Sequence, residues 1–264
     1  MISTYVKDSI EKASWIRKMF EEGGRLKAEF GPENVFDFSI GNPDLEPPKE
    51  FKSLLTKLAA SENKGVHGYM PNAGFADVRS LIAEKVNIDH DVTTKAEQII
   101  MTCGAAGGLN IILKTILNPD DEVIVIKPYF VEYGFYINNH GGKMVLADSN
   151  NDFSLNIKSI QDRITDKTKA ILINSPNNPT GKIYSEKEII ELGSMLHTYK
   201  TANRTIYLIA DEPYREIVYD NNTVPSILKH YNESFVVSSY SKTLSVPGER
   251  IGYVAVNPNI TDPG

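Results

Sequence analysis

The feature that most constrains the fold is an alternation of short β-rich runs with longer segments of helical periodicity. Parallel strands joined by crossover helices produce this alternation, so it indicates an α/β protein. The predicted strands are residues 97–102, 122–126, 143–146, 170–174, 205–210, 235–239 and 252–256. Several of these runs are apolar throughout, as strands covered on both faces of a sheet must be. The sequence therefore predicts a sheet with helices on both faces.

Helical periodicity lies between the predicted strands. The helices expected there are residues 107–117, 155–163 and 185–199. Ser185 and Glu188 have the spacing of a capping box, in which each side chain accepts a hydrogen bond from the other residue's backbone N–H. This pair predicts the start of the last helix.

The residues before about position 95 have a different pattern. They combine a long amphipathic helix near the N-terminus, an extended stretch at 35–40, a loop rich in Gly and Pro, and a helix at about 74–86. We interpret residues 1–48 as an N-terminal arm and substrate-loop segment. Residues 49–264 are then expected to form one large domain.

Composition narrows the function classes. With 41% hydrophobic and 23% charged residues, the 264-residue chain resembles an ordinary globular protein, and its net charge of -6 offers no broad basic field to nucleic acid or an anionic membrane. The N-terminus lacks the pattern of a secretory signal, and the apolar runs are too short to span a bilayer. The single cysteine, Cys103, cannot form an internal disulfide. We therefore predict a cytoplasmic protein, and the five histidines show no metal-ligand spacing.

A lysine follows the sixth predicted strand, in the segment Ser-Ser-Tyr-Ser-Lys that ends at Lys242. Ligands of open α/β sheets bind at the carboxyl ends of strands, where a neutral lysine could form an imine. Two hydroxyls beside it and Arg250 beyond it could bind a phosphate dianion. A solvated basic loop is the alternative interpretation of the same segment.

An acidic residue stands at the end of the fifth predicted strand. Asp211 continues an apolar run, and a carboxylate there is costly to bury unless a cation or a strong donor meets it. A pyridinium nitrogen would be such a partner, and Tyr214 could donate to a ring oxygen. The alternative is that Asp211 caps a helix that begins at Pro213.

Two further loops follow predicted strands. In residues 174–181, two prolines restrict the backbone, so the Asn178 amide could be held as a fixed donor, although the motif alone indicates only a turn. Residues 102–108 are small and open a helix, whose free N–H groups and dipole suit a phosphate. That segment lacks the GxGxxG spacing of nicotinamide-binding loops.

These four segments, in this order and each at a strand end, resemble the pyridoxal-phosphate aminotransferases of fold type I, class I/II. The resemblance runs from residues 41–43 through 67–69 to Arg250, and its most specific parts are Ser-x-Ser-Lys…Gly-x-Arg-x-Gly and Asn-Asn-Pro-Thr-Gly. It implies the large domain of that fold, a sandwich of helical and sheet layers. The sheet is expected to be mixed and mostly parallel, with helices on both faces.

The resemblance also implies roles for individual residues. Lys242 matches the lysine that forms a Schiff base with pyridoxal phosphate and then moves the proton at the substrate α-carbon. Asp211 matches the partner of the pyridine nitrogen, which keeps the ring protonated so that it can accept electrons. Asn178 and Tyr214 match the two donors to the phenolic oxygen of the ring.

The phosphate of the cofactor is assigned by the same resemblance. The residues implied to hold it are Gly104, Ala105, Ala106, Ser239, Ser241 and Arg250. Phe130 matches the aromatic residue that stacks on the pyridine ring, with Tyr129 as the alternative, although both could be ordinary core residues. Cys103 is expected to be a small buried residue beside this loop.

Substrate and subunit contacts complete the assignment. Gly41 and Asn42, together with Asn178, match the residues that bind the substrate. Tyr69 matches the residue that reaches the phosphate site of a neighbouring subunit, so the resemblance implies a homodimer.

The resemblance implies transamination between an L-amino acid and a 2-oxo acid. A lyase or decarboxylase on the same fold remains open, as does a non-catalytic cofactor-binding fragment. Family members carry a further C-terminal small domain, which would follow Gly264 and is expected to be absent here. Because that domain supplies the arginine for the substrate carboxylate, no residue receives this role, and the sequence does not identify the amino acid.

Overall fold

The computed structural model describes residues 2–4, 6–7, 14–38 and 41–261. The chain forms two compact units, Met1–Leu45 and Glu46–Gly264. In the first unit, helix α1 spans Ser14–Phe30 and a 3-10 turn follows at Pro32–Asn34. Residues 35–38 have no regular secondary structure. The remainder of the predicted extended stretch, residues 39–40, lies outside the described residues.

The second unit is built on a seven-stranded sheet. Its strands are β1 Ile99–Cys103, β2 Glu122–Lys127, β3 Lys143–Asp148, β4 Thr168–Asn174, β5 Tyr207–Asp211, β6 Ser234–Ser239 and β7 Ile251–Val256. They are ordered β1-β7-β6-β5-β4-β2-β3, and β7 runs antiparallel to the other six strands, which are parallel to one another. The predicted mixed, mostly parallel sheet is therefore confirmed, and each predicted strand overlaps an observed one.

Helices connect the strands of this unit. They are α2 Lys49–Ala59, α3 Ala76–His90, α4 Gly104–Ile116, α5 Tyr133–Asn139, α6 Ile157–Gln161, α7 Glu186–His197 and α8 Ile227–His230. The Ser185–Glu188 capping box at the start of α7 is confirmed. Three helices were not predicted: α5 and α8 are too short to show a clear periodicity, and α2 buries no residue. Within the described residues, no helix has the length and apolar character needed to cross a bilayer.

The sheet separates two hydrophobic clusters, which define its two faces. The α3 face packs α3, α7 and α8 against residues such as Leu208 and Ala210. The α4 face packs α4 and α5 against residues such as Ile209 and Val237. Because side chains alternate along a strand, successive residues of β5 enter opposite clusters.

The carboxyl ends of β1 to β6 lie at one end of the sheet, together with the amino end of β7. The register pairs there are Cys103–Ile251, Asn174–Asp211 and Ser239–Gly252. The segments that follow β1, β4, β5 and β6 therefore meet at this end, which is where ligands of such sheets bind.

Candidate functional site

Asp211 ends β5 as a buried carboxylate that is only partly satisfied. The Tyr133 hydroxyl donates to its Oδ2 at 2.7 Å, whereas its Oδ1 is buried without a hydrogen-bond partner among the described residues. Burial raises the pKa of Asp211 to about 6, against the lowering effect of the Tyr133 hydrogen bond. An unpaired buried acceptor of this kind suits a cationic or N–H donor ligand.

The structure excludes one of the two interpretations of Asp211. Residues 213–216 form a turn and not the helix expected to begin at Pro213, so Asp211 does not act as a helix cap. Its carboxylate instead lies on the α4 face, where Tyr133 begins helix α5.

Asn178 and Tyr214 bring two polar groups together from different loops. The Asn178 Nδ2 atom lies 3.4 Å from the Tyr214 hydroxyl, and both residues are half-buried. Asn174 joins their loops, because its Nδ2 donates to the Asp211 carbonyl at 2.7 Å and its Oδ1 accepts from the Asn178 N–H at 2.6 Å. Burial raises the pKa of the Tyr214 phenol, so this hydroxyl stays protonated and can donate.

Lys242 lies just beyond β6 at the same end of the sheet. It is half-buried, and burial lowers the pKa of its ammonium group. A lowered pKa increases the fraction of neutral amine, which is the form that can act as a nucleophile or base. The flanking residues Ser239 and Ser241 are both buried.

Helix α4 begins directly against a guanidinium group. Gly104 has φ of +69°, and a Cβ atom added there would lie 2.7 Å from the Arg250 Nη2 atom. A Cβ at Gly252 would in turn lie 2.5 Å from the Gly104 carbonyl carbon, so both positions require glycine. The first turn of α4, which contains Ala105 and Ala106, thus combines free backbone donors and a helix dipole with the guanidinium group of Arg250. This combination suits a phosphate dianion.

Phe130, its alternative Tyr129 and Cys103 differ in how far they are buried. Phe130 is half-buried and makes an edge-to-face contact with Tyr133, with ring centroids 5.6 Å apart, and Tyr129 is half-buried beside it. Cys103 is exposed, so the expectation that it is a buried filler is wrong. The reason is that β1 is the edge strand of the sheet and Cys103 is its last residue.

The remaining predicted residues are exposed. Tyr69 lies before α3 with a fully exposed side chain. Gly41 and Asn42 belong to the first unit and are exposed as well. The structure therefore places the predicted residues that follow β1, β4, β5 and β6 at one end of the sheet.

Tyr133 and Asn174 also lie at this site, although no specific role was predicted for either from the sequence. A buried tyrosine hydroxyl normally has a hydrogen-bond partner, but sequence alone does not say that this partner is 78 residues away. Asn174 is the last residue of β4 and ends an apolar run, as Asp211 does in β5. A polar residue at a strand end was the signal that led to the prediction for Asp211. In the portion of the chain that the structure covers, no group of three or more His, Cys, Asp or Glu residues could hold a metal ion.

Sequence comparison finds relatives along nearly the whole chain. The family described as aminotransferase class I and II matches residues 33–262. A probable aspartate aminotransferase of Methanocaldococcus jannaschii is 30% identical over 260 residues, which are 98% of this chain and 64% of the relative. Aspartate aminotransferase of Bacillus subtilis is 33% identical over 233 residues, which are 86% of this chain and 57% of the relative. The chain thus spans less than two thirds of the length of these curated relatives.

Solved structures show the same architecture. The crystal structure of an amino transferase from Eubacterium rectale has a TM-score of 0.92 and 39% identity, and the match covers 99% of this chain and 67% of that chain. Aspartate aminotransferase from Thermus thermophilus with maleate has a TM-score of 0.81 and 27% identity, and the match covers 93% and 62% of the two chains.

Proposed function

Since the chain belongs to the class I and II aminotransferase family, we propose that it transfers an amino group between an L-amino acid and a 2-oxo acid. Residues 49–264 would form the cofactor-binding domain, and residues 1–48 the arm and substrate-loop segment. The observation that carries the proposal is the buried, unpaired Oδ1 atom of Asp211 at the end of the sheet that also holds Lys242.

Members of this family depend on pyridoxal phosphate, and the described residues fit that group. Asp211 offers a buried acceptor for a pyridine N–H, and the two donors 3.4 Å apart, Asn178 and Tyr214, would hold the ring oxygen. Phe130 would stack on the ring. The phosphate would be held by Gly104, Ala105, Ala106, Ser239, Ser241 and Arg250.

When bound, pyridoxal phosphate supplies an electron sink for the pair left after the substrate α-proton is removed. Lys242 would carry the cofactor covalently and then move the proton at the α-carbon, and its lowered pKa supports both tasks. Asp211 would keep the ring nitrogen protonated, because a buried carboxylate with no other partner for Oδ1 favours a nearby cation. Tyr214 would tune the basicity of the ring oxygen by donating to it.

Gly41 and Asn42 would bind the substrate, together with Asn178. The assembly we propose is a homodimer in which Tyr69 reaches the phosphate site of the partner subunit, and the full exposure of Tyr69 supports this. Sedimentation of wild type and Tyr69→Ala would measure the assembly and its contribution. The cytoplasm is the proposed location, supported by the use of a single cysteine in 264 residues, which fits a reducing compartment.

The experiment that tests the function is product analysis. The purified chain is loaded with pyridoxal phosphate and given single L-amino acids, starting with aspartate and aromatic amino acids because relatives carry those names. Formation of the matching 2-oxo acid, lost in Lys242→Ala, is the expected result. Release of carbon dioxide or ammonia without amino transfer would instead indicate a decarboxylase or lyase. Cofactor binding with no product from any amino acid would contradict the proposal.

A further inference from the structure

Arg215, the residue after Tyr214, makes three well-formed contacts that hold the turn following β5. Its Nη1 atom donates to Glu212 Oε2 at 2.8 Å. Its Nη2 atom donates to two backbone carbonyls, those of Asp89 at 2.6 Å and Val224 at 2.7 Å. The guanidinium group therefore joins three segments that are distant in sequence: the end of α3, the turn after β5, and the segment before α8.

The carboxylate partner of Arg215 is itself fixed. Glu212 is 1% exposed, and its Oε2 atom lies 3.5 Å from the Nε2 atom of His90. The backbone of Glu212 is bound on both sides: its N–H donates to the Val237 carbonyl at 2.8 Å, and its carbonyl accepts from the Ser238 hydroxyl at 3.1 Å. A buried carboxylate needs such a cation, because an unpaired charge in this position is strongly unfavourable.

Tyr214 lies between these two paired residues. The Arg215 N–H donates to the Glu212 carbonyl at 3.3 Å, and the Ile217 N–H donates to the Tyr214 carbonyl at 2.8 Å. The turn is thus anchored on both sides of Tyr214, whose hydroxyl lies near Asn178. The orientation of this hydroxyl then depends on contacts that do not involve its own ring.

We propose that Arg215 is a positioning residue that acts through Tyr214. Its ion pair with Glu212 and its two carbonyl contacts hold the turn that directs the Tyr214 hydroxyl toward the bound ligand. The proposal rests on the proposed function, in which this hydroxyl donates to the ring oxygen of pyridoxal phosphate. Arg215 itself does not touch the cofactor in this account.

The test is a pH titration of the visible absorbance of the cofactor bound to the purified chain. Four proteins are compared: wild type, Tyr214→Phe, Arg215→Met and the double variant. Loss of the Tyr214 hydroxyl makes the ring oxygen more basic, so the apparent pKa of the absorbance change should move upward. Arg215→Met should move this pKa in the same direction by most of that amount. The double variant should match Tyr214→Phe alone, because the two residues act in series.

Two further variants keep this test decisive. Arg215→Lys retains the charge beside Glu212 but cannot make all three contacts at once, so it should give a smaller upward shift of the pKa. Lys85→Met is the matched control, since Lys85 is paired with Asp89 and Glu216 in the same region. It should titrate as wild type does.

The proposal would be overturned if Arg215→Met and Arg215→Lys had the same apparent pKa of the absorbance change as wild type. A double variant whose shift is the sum of the two single shifts would overturn it as well, as would a shift of equal size in Lys85→Met. These results are distinct from failure of the proposed function, which would appear as a wild-type chain that takes up no cofactor at Lys242. Hydrogen exchange in the cofactor-free chain gives an independent result. The backbone amides of residues 215 and 217 should exchange faster in Arg215→Lys than in Lys85→Met. Equal exchange would count against the proposal.

Discussion

The end of β5 carries two consecutive buried carboxyl groups that the two faces of the sheet treat in opposite ways. On the α3 face, Glu212 is paired with the guanidinium group of Arg215. On the α4 face, Asp211 accepts a hydrogen bond from the neutral Tyr133 phenol, and its second oxygen has no partner in the part of the chain that the structure describes. Burial raises the pKa of both carboxyl groups. One face therefore pairs its carboxyl group with a cation of the fold, and the other leaves an acceptor for a ligand at a cost in stability.

Removal of the internal cation should have the largest effect on stability. Arg215→Met leaves the Glu212 carboxyl group buried and unpaired, so at pH 8 the free energy of unfolding should fall by about 3–5 kcal/mol. Urea unfolding of the cofactor-free chain measures this loss. Adding Glu212→Gln to Arg215→Met should recover part of it, because the stranded charge is then absent. A loss in Arg215→Met no larger than that of an ordinary surface substitution would show that the two faces do not differ.

The opposite change is expected at Asp211. Because burial raises its pKa in the folded chain from 3.8 to about 6, the cofactor-free protein should lose stability as the pH rises through that interval. Asp211→Asn removes this titration, so the variant should equal wild type near pH 4 and be more stable above pH 6. The difference is at most about 3 kcal/mol, less the cost of an unpaired amide.

Thermal unfolding of both proteins across this pH range measures the effect, and pyridoxal phosphate should bind the variant more weakly. An Asp211→Asn chain that is less stable than wild type at pH 8 would contradict the comparison. It would mean that the ionised Asp211 carboxylate is fully satisfied by the protein.

Tyr133→Phe should have a smaller and pH-dependent effect. The phenol stabilises the ionised form of Asp211, so its loss should cost about 1.5–3 kcal/mol above pH 7 and less near pH 4, where the carboxyl group is protonated. Unfolding at two pH values measures this difference. The same loss at both values would mean that Tyr133 contributes only packing.

Ser185→Ala provides the smallest effect and a reference outside both faces. It removes the capping box of α7, so stability should fall by about 1 kcal/mol at every pH. Cofactor binding should not change. Altered binding in this variant would indicate that the site is sensitive to any loss of stability, and the effects at Asp211 would then lose their specific meaning.

Local patterns in the sequence were sufficient to predict the strands and the residues that follow them. The apolar runs of β4 and β5 end at Asn174 and Asp211, and the structure places both at one end of the sheet. The capping box at Ser185 was likewise predicted from a spacing of three residues. These features depend on neighbours in sequence, which is why they could be predicted.

The contacts that distinguish the two faces could not be predicted in this way. Tyr133 reaches Asp211 across 78 residues, and Arg215 reaches the Asp89 carbonyl across 126 residues. Neither contact has a periodic signal, because each depends on the packing of separate helices against the sheet. The exposure of Cys103 also depends on strand order, which makes β1 an edge strand.

We propose that this end of the sheet holds pyridoxal phosphate with Lys242 as its covalent partner. The most direct test incubates the purified chain with the cofactor, reduces the complex with borohydride and maps the modified peptide by mass spectrometry, with Lys242→Ala as the control. We expect a visible absorbance band and one modified lysine, Lys242, with no stable modification in the control. Modification spread over surface lysines, or none at Lys242, would contradict it.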